Sequence, residues 1–182
     1  QTGVILRLDR AGTRVLSETY LGTTVTQARV DELTGNIVAV GSFGLAVLNP
    51  AASAVLWRRT STVDFPGTAY RVAVASDGTV AVLSGSPSGL TSSTVTTFGP
   101  TGGKVGQFKP WGSNNSIRSY SIAADGRTKS VYVSGDYNTR IPDGLPQAGQ
   151  VVVAILRGYS YTGTQKFQAY GASGADLGVH AA

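Results

Sequence analysis

The sequence contains no cysteine and no methionine, and its single histidine is His180. Without cysteine there is neither a disulfide framework nor a thiolate metal site, and compartment cannot be read from bridges. One histidine leaves zinc without a ligand set and leaves Ser-His-Asp hydrolysis dependent on a single base. Other catalytic patterns also fail. Gly85-Ser86-Pro87-Ser88-Gly89 puts proline where a nucleophile elbow needs serine, and Gly102-Gly103-Lys104 runs into Val105 instead of the Ser or Thr of a phosphate loop. Charged residues make up only 14% of the chain. The longest apolar run, residues 151–156, is far short of the roughly 20 residues a membrane helix needs, so no membrane span is expected. Fifteen Lys and Arg against ten Asp and Glu give +5, but the basic residues are scattered and only Arg58 and Arg59 adjoin. That pattern serves solubility and does not predict a nucleic-acid partner. The chain starts at Gln1, which fits a mature, processed, exported protein.

What the sequence does hold is glycine, 24 residues of it, between short runs of β-branched and aliphatic residues. Residues 26–60 read as four strands separated by Gly, Asn, Pro and Ser, one antiparallel unit. The unit recurs. LDRAGTRVL from Leu8, LNPAASAVL from Leu48, FGPTGGKVG from Phe98 and YSYTGTQKF from Tyr159 each end a strand, turn at Gly12, Ala52, Gly102 or Gly163, and begin another. The inner hairpins repeat too, with turns at Thr34-Gly35, Asp77-Gly78 and Asp125-Gly126. Asp-Gly suits a tight hairpin because glycine adopts positive φ freely, so these aspartates are turn formers first. Four strands recurring every 40 to 60 residues predict a β-propeller.

The expected fold is therefore all-β: a β-propeller of four-stranded antiparallel blades, about three complete, with partial blades at both ends. Residues 4–22 are the outer hairpin of a partial blade and 24–60 and 68–109 are blades. Residues 117–170 form a blade with a long insertion at 134–150, and 171–182 start the next. Loops at 84–93, 110–116 and 134–150 lie on a rim, where recognition is cheap to build.

Leu8-Asp9-Arg10-Ala11-Gly12-Thr13, then Thr19-Tyr20-Leu21-Gly22 and Gly35-Asn36-Ile37-Val38-Ala39-Val40-Gly41, resemble the SBBP-like β-propeller repeat of bacterial secreted and cell-surface proteins. The third copy is similar at Ala124-Asp125-Gly126 and Val131-Tyr132-Val133-Ser134-Gly135. The resemblance implies an extracellular or cell-surface location and carries no catalytic residues. A weaker likeness lies in LNPAASAVLW, similar to the Trp-ended outer strands of quinoprotein propellers, with Glu18, Phe108 and Ala169 at the positions matching Trp57.

These readings predict a non-enzymatic scaffold that binds a protein partner or self-associates. A carbohydrate-binding, lectin-like propeller is the alternative, and a fragment of a propeller glycosidase or lyase, which would need two facing carboxylates, the third. Candidate ligand-binding residues are Trp111, Asn114, Asn115, Tyr137, Tyr159 and Tyr161, because aromatics beside amides stack on sugars or proteins while hydrogen-bonding the rim. Trp111 covering a blade edge is the competing reading. No cofactor is expected. Calcium, which takes loop oxygens, has Asp136, Asn138 and Asp143 as its candidate ligands.

Overall fold

The computed structural model describes residues 2–85, 93–112, 117–139 and 151–170. Every regular element among them is a β-strand. β1 (Val4–Leu8) and β2 (Val15–Tyr20) form a hairpin, sheet I. β3 (Val25–Val30), β4 (Ile37–Gly41), β5 (Gly44–Leu48) and β6 (Val55–Arg59) form sheet II. β7 (Thr68–Val74), β8 (Val80–Gly85), β9 (Thr94–Phe98) and β10 (Lys104–Phe108) form sheet III. β11 (Ile117–Asp125), β12 (Ser130–Thr139), β13 (Val151–Ser160) and β14 (Gln165–Tyr170) form sheet IV. Sheets II to IV are antiparallel meanders in strict chain order. The central strands of sheets II and III, IVAVG, GLAVL, VAVLSG and TVTTF, are largely apolar or β-branched on both faces because both faces are covered.

The sheets stack face to face, and each stacking surface is a separate core. Ile5 of sheet I joins Ala39, Ala46 and Leu48 of sheet II. The opposite face of sheet II, through Val38, Val40, Leu45 and Val47, meets Val72, Val80, Val82 and Phe98 of sheet III. The other face of sheet III, through Ala73, Ala81, Leu83 and Val95, meets Ile122, Val131, Val133 and Ile155 of sheet IV. One offset recurs at all three surfaces: the last strand of each sheet reaches the outer turn of the next. Thr19 Oγ1 donates to Ala52 O at 2.6 Å. Trp57 Nε1 donates to Pro100 O at 3.2 Å, and Arg59 Nε to Gly102 O at 2.9 Å. Phe108 packs over Gly163. Sheet I makes no extended contact with sheet IV among the described residues, and no closed ring forms among them.

The outer turns repeat atom by atom. The amide of Gly12, Ala52, Gly102 or Gly163 donates to the carbonyl three residues back, and all four apex residues have positive φ, from 51° at Ala52 to 99° at Gly163. Asp9 Oδ1 and Asn49 Oδ1 also accept from backbone amides inside their own turns. Two inner turns have the expected glycine at positive φ, Gly35 (72°) and Gly78 (78°), and the third departs from it. Asp31 Oδ1 accepts from Leu33 N and Oδ2 from Thr34 Oγ1; Asp125 Oδ1 accepts from Arg127 N and Oδ2 from Thr128 Oγ1. The counterpart of Gly35 (φ 72°) is thus Lys129 (φ 50°), not Gly126. Gly126 is required for space instead, since a Cβ there would lie 2.5 Å from Asp77 N.

Two further expectations are corrected. The segment from 134 is strand as far as Thr139, pairing Ser134↔Leu156 through Thr139↔Val151, because SGDYNT faces the apolar VVVAIL. The register also moves the positions matching Trp57. Trp57 lies opposite Val47, one residue before Leu48, and the same place in the other sheets belongs to Ser17, Gly106 and Phe167. Ser17 follows Leu8 by nine residues, as Trp57 follows Leu48, while the outer turns of sheets III and IV are one residue shorter and move the match one residue earlier.

Candidate binding cleft

The first strand of each complete sheet is an edge strand, and the three lie side by side, with β7 packed between β3 and β11. Each carries a bulge at the same place: Thr26, Tyr70 and Tyr120 have no opposite residue in the ladder. The extra residue bends the strand and re-aims its edge. Side chains then bridge edge to edge. Thr26 Oγ1 donates to Ala69 O at 3.0 Å, Val72 N donates to Gln27 Oε1 at 2.7 Å, and Arg71 Nε donates to Tyr120 O at 3.0 Å. Beyond these bridges the strand ends and their inner turns separate, leaving a cleft of about 470 Å³. That volume lies within the range of ligand sites.

Val30, Leu33, Val74 and Ile122 give the cleft its apolar walls, with Arg29 and Glu32 supplying one charge of each sign. Asp31 also lines it, but its carboxylate is committed to its own turn through Leu33 N at 3.1 Å and the Thr34 hydroxyl. Tyr161 ties the neighbouring inner turns together: its hydroxyl donates to Asp125 O at 3.1 Å and lies 3.3 Å from Asp77 Oδ1. Burial, and then the Asp77 carboxylate, push this phenol far above the ordinary tyrosine range. Asp31, Asp77 and Asp125 therefore serve as turn formers. Such a surface is suited to binding an extended segment by apolar contact, with a charge of either sign to orient it.

Of the six ligand candidates, the structure puts Trp111, Tyr159 and Tyr161 in the interior. Trp111 is buried between sheets III and IV, donating from Nε1 to Ser119 Oγ at 2.6 Å with the Arg157 guanidinium 5.2 Å from its ring. Tyr159 is buried against Phe108 with ring centroids 4.7 Å apart, and its hydroxyl donates to Pro110 O. Trp111 and Tyr161 belong to one core cluster, and Tyr159 is buried on Phe108, which packs against it, so all three are interior side chains. Tyr137 and Asn138 are placed by backbone alone, opposite Val153 and Val152 in β12. Asn114, Asn115 and Asp143 lie outside the described residues. Asp136 accepts from the Tyr120 hydroxyl at 2.6 Å through Oδ2, while Oδ1 has no hydrogen-bond partner among the described residues. No group of three metal-ligating side chains occurs among the described residues, nor any helix able to cross a membrane. Compared with known proteins, the sequence matches no family model and no curated sequence.

Sequence reasoning missed Arg29, Glu32 and the apolar walls. The alternation in Ala28-Arg29-Val30 signals an outward-facing basic residue on a strand. That three strand ends more than 40 residues apart converge is a product of the stacking offset.

Proposed function

We propose that this chain is a propeller-type scaffold of the cell exterior that binds an extended segment of a protein partner in the cleft at the ends of β3, β7 and β11. One observation carries the reading: three bulged edge strands are braced by side-chain bridges and then part to leave an apolar cleft with Arg29 and Glu32 beside it. Bracing by Thr26, Gln27 and Arg71 fixes the walls before any ligand arrives, which lowers the ordering cost of binding. The constant stacking offset of sheets I to IV supports the propeller-type arrangement, because radial stacking repeats one interface.

The test is site-specific photocrosslinking against the surface proteins of the source cells. A photoreactive residue at Leu33 gives a protein adduct, and the same residue at Val105, on an outer strand away from the cleft, gives none. Equal labelling at both positions overturns the reading, as does saturable binding of a sugar on a glycan array that Arg29→Glu abolishes.

A further inference from the structure

Sheets I and IV each present a stacking face that nothing covers among the described residues, and the repeat identifies what each face is built to meet. Leu8, Leu48, Phe98 and Tyr159 hold one structural position, the residue paired with the start of the next strand across the outer turn. Leu48 and Phe98 are 0% exposed and Tyr159 4%, while Leu8 is 46% exposed. Each buried counterpart faces the preceding sheet. Leu6, the counterpart of fully buried Ala46, is 49% exposed, and Tyr20 lies open on the same face. Gly12 repeats the pattern. Gly102 lies under the Trp57 ring and Gly163 under Phe108, yet nothing stands within 4 Å of a Cβ built on Gly12.

On the outward face of sheet IV, Tyr132 and Phe167 pack across Gly158 with ring centroids 5.8 Å apart. Phe167 holds the position of Trp57, the ring that covers the next turn, and it is exposed. One face thus offers an outer-strand ring without a turn beneath it, and the other an outer turn without a ring above it.

We propose that a second copy of this chain docks head to tail, placing β13 and β14 of one copy on β1 and β2 of the other, with Phe167 over the Gly12 turn as Trp57 lies over Gly102. The contact continues the stacking already made three times within the chain. It is heterologous, since two different faces meet, so each copy retains one free face for another. Clustered exposed Leu and Tyr on the receiving hairpin is the kind of surface that association buries.

The test is the mass in solution by light scattering, together with sedimentation velocity, on the full chain over a wide concentration range. The wild-type mass rises with concentration. Leu8→Glu and Phe167→Glu each weaken association at least about tenfold, as expected for a buried anchor. Mixed in equal amounts, the two variants form a dimer and nothing larger, because each supplies the face the other lacks. Circular dichroism verifies their folds, and Tyr20→Glu replaces Leu8→Glu if the latter unfolds. A wild type that stays monomeric throughout overturns the proposal, as does a mixture that fails to complement. Neither result bears on cleft binding, which Leu33 reports separately.

Discussion

Replacing the apex glycine of each outer turn by alanine separates the cost of backbone conformation from the cost of stacking. Gly12 (φ 72°), Gly102 (φ 85°) and Gly163 (φ 99°) occupy the same turn, so the left-handed backbone costs a new Cβ much the same at each. That cost is roughly 1–2 kcal/mol, offset in part by the smaller entropy of an unfolded alanine, leaving about 1 kcal/mol. At Gly12 nothing more is lost, because the Cβ enters open space. At Gly102 it meets the Trp57 ring at 3.0 Å, and at Gly163 it meets Phe108 Cβ at 2.7 Å. Overpacking adds roughly 1–3 kcal/mol at these two positions, for totals of about 2–4 kcal/mol. Urea unfolding at constant m-value reads the differences directly. The decisive comparison is a double-mutant cycle. In a Trp57→Ala background the ring is gone, so Gly102→Ala falls back to the roughly 1 kcal/mol of Gly12→Ala, a coupling of about 1–3 kcal/mol. Equal costs for Gly102→Ala in both backgrounds would refute the claim that outer strands stack on the next sheet's turns.

Three other outcomes follow from the same geometry. Lys129→Gly stabilises by about 0.5–1 kcal/mol, since it relieves a left-handed non-glycine residue at the place Gly35 holds in sheet II; a melting temperature that fails to rise by about 1–4 °C counts against it. Leu48→Ala costs about 2–5 kcal/mol whereas Leu8→Ala costs under about 1 kcal/mol in the monomer, because only the first leaves a cavity; chemical denaturation at low concentration compares them. The Thr128 hydroxyl, then the Arg127 amide, hold the Asp125 carboxyl below the usual carboxylate range. With the folded value depressed, the contribution is present above the unfolded value of about 3.9 and is lost as pH falls through the folded one. The stability gap between wild type and Asp125→Asn therefore closes below about pH 4, and a gap that widened on acidification would contradict the assigned hydrogen bonds.

The strands and the four-stranded unit were legible because alternation and turn residues are local signals, as in the run from Val80 to Gly85 or the Asp-Gly at 77–78. What escaped depended on contacts between sheets. Lys129 gave no hint of positive φ, since its conformation is imposed by the Asp125 and Thr128 hydrogen bonds and by a neighbouring turn that leaves Gly126 no room for a Cβ. Trp111 follows a proline and precedes a glycine and polar residues, which reads as an exposed connection; Ser119 and Arg157, its actual partners, are 8 and 46 positions away. The cleft was invisible for the same reason, because its walls are strand ends brought together by packing and its charged residues, Arg29 and Glu32, look ordinary in sequence.

Because the apolar interior of the described residues is divided into three clusters and not pooled into one, cooperativity among these sheets is a nearest-neighbour property. Each sheet is held by the sheets on either side, and a lesion in one cluster leaves the others formed. The cluster holding sheet I is the smallest, built around Leu21, Ala39, Ala46 and Leu48, so the β1–β2 hairpin opens at lower free energy than sheet III, which is gripped from both sides. Hydrogen exchange under native conditions would accordingly show protection rising from the first hairpin towards β8 and β9. The same partition lets such a chain gain or lose a sheet without redesign of the remainder, since every unit carries both halves of the contact it needs.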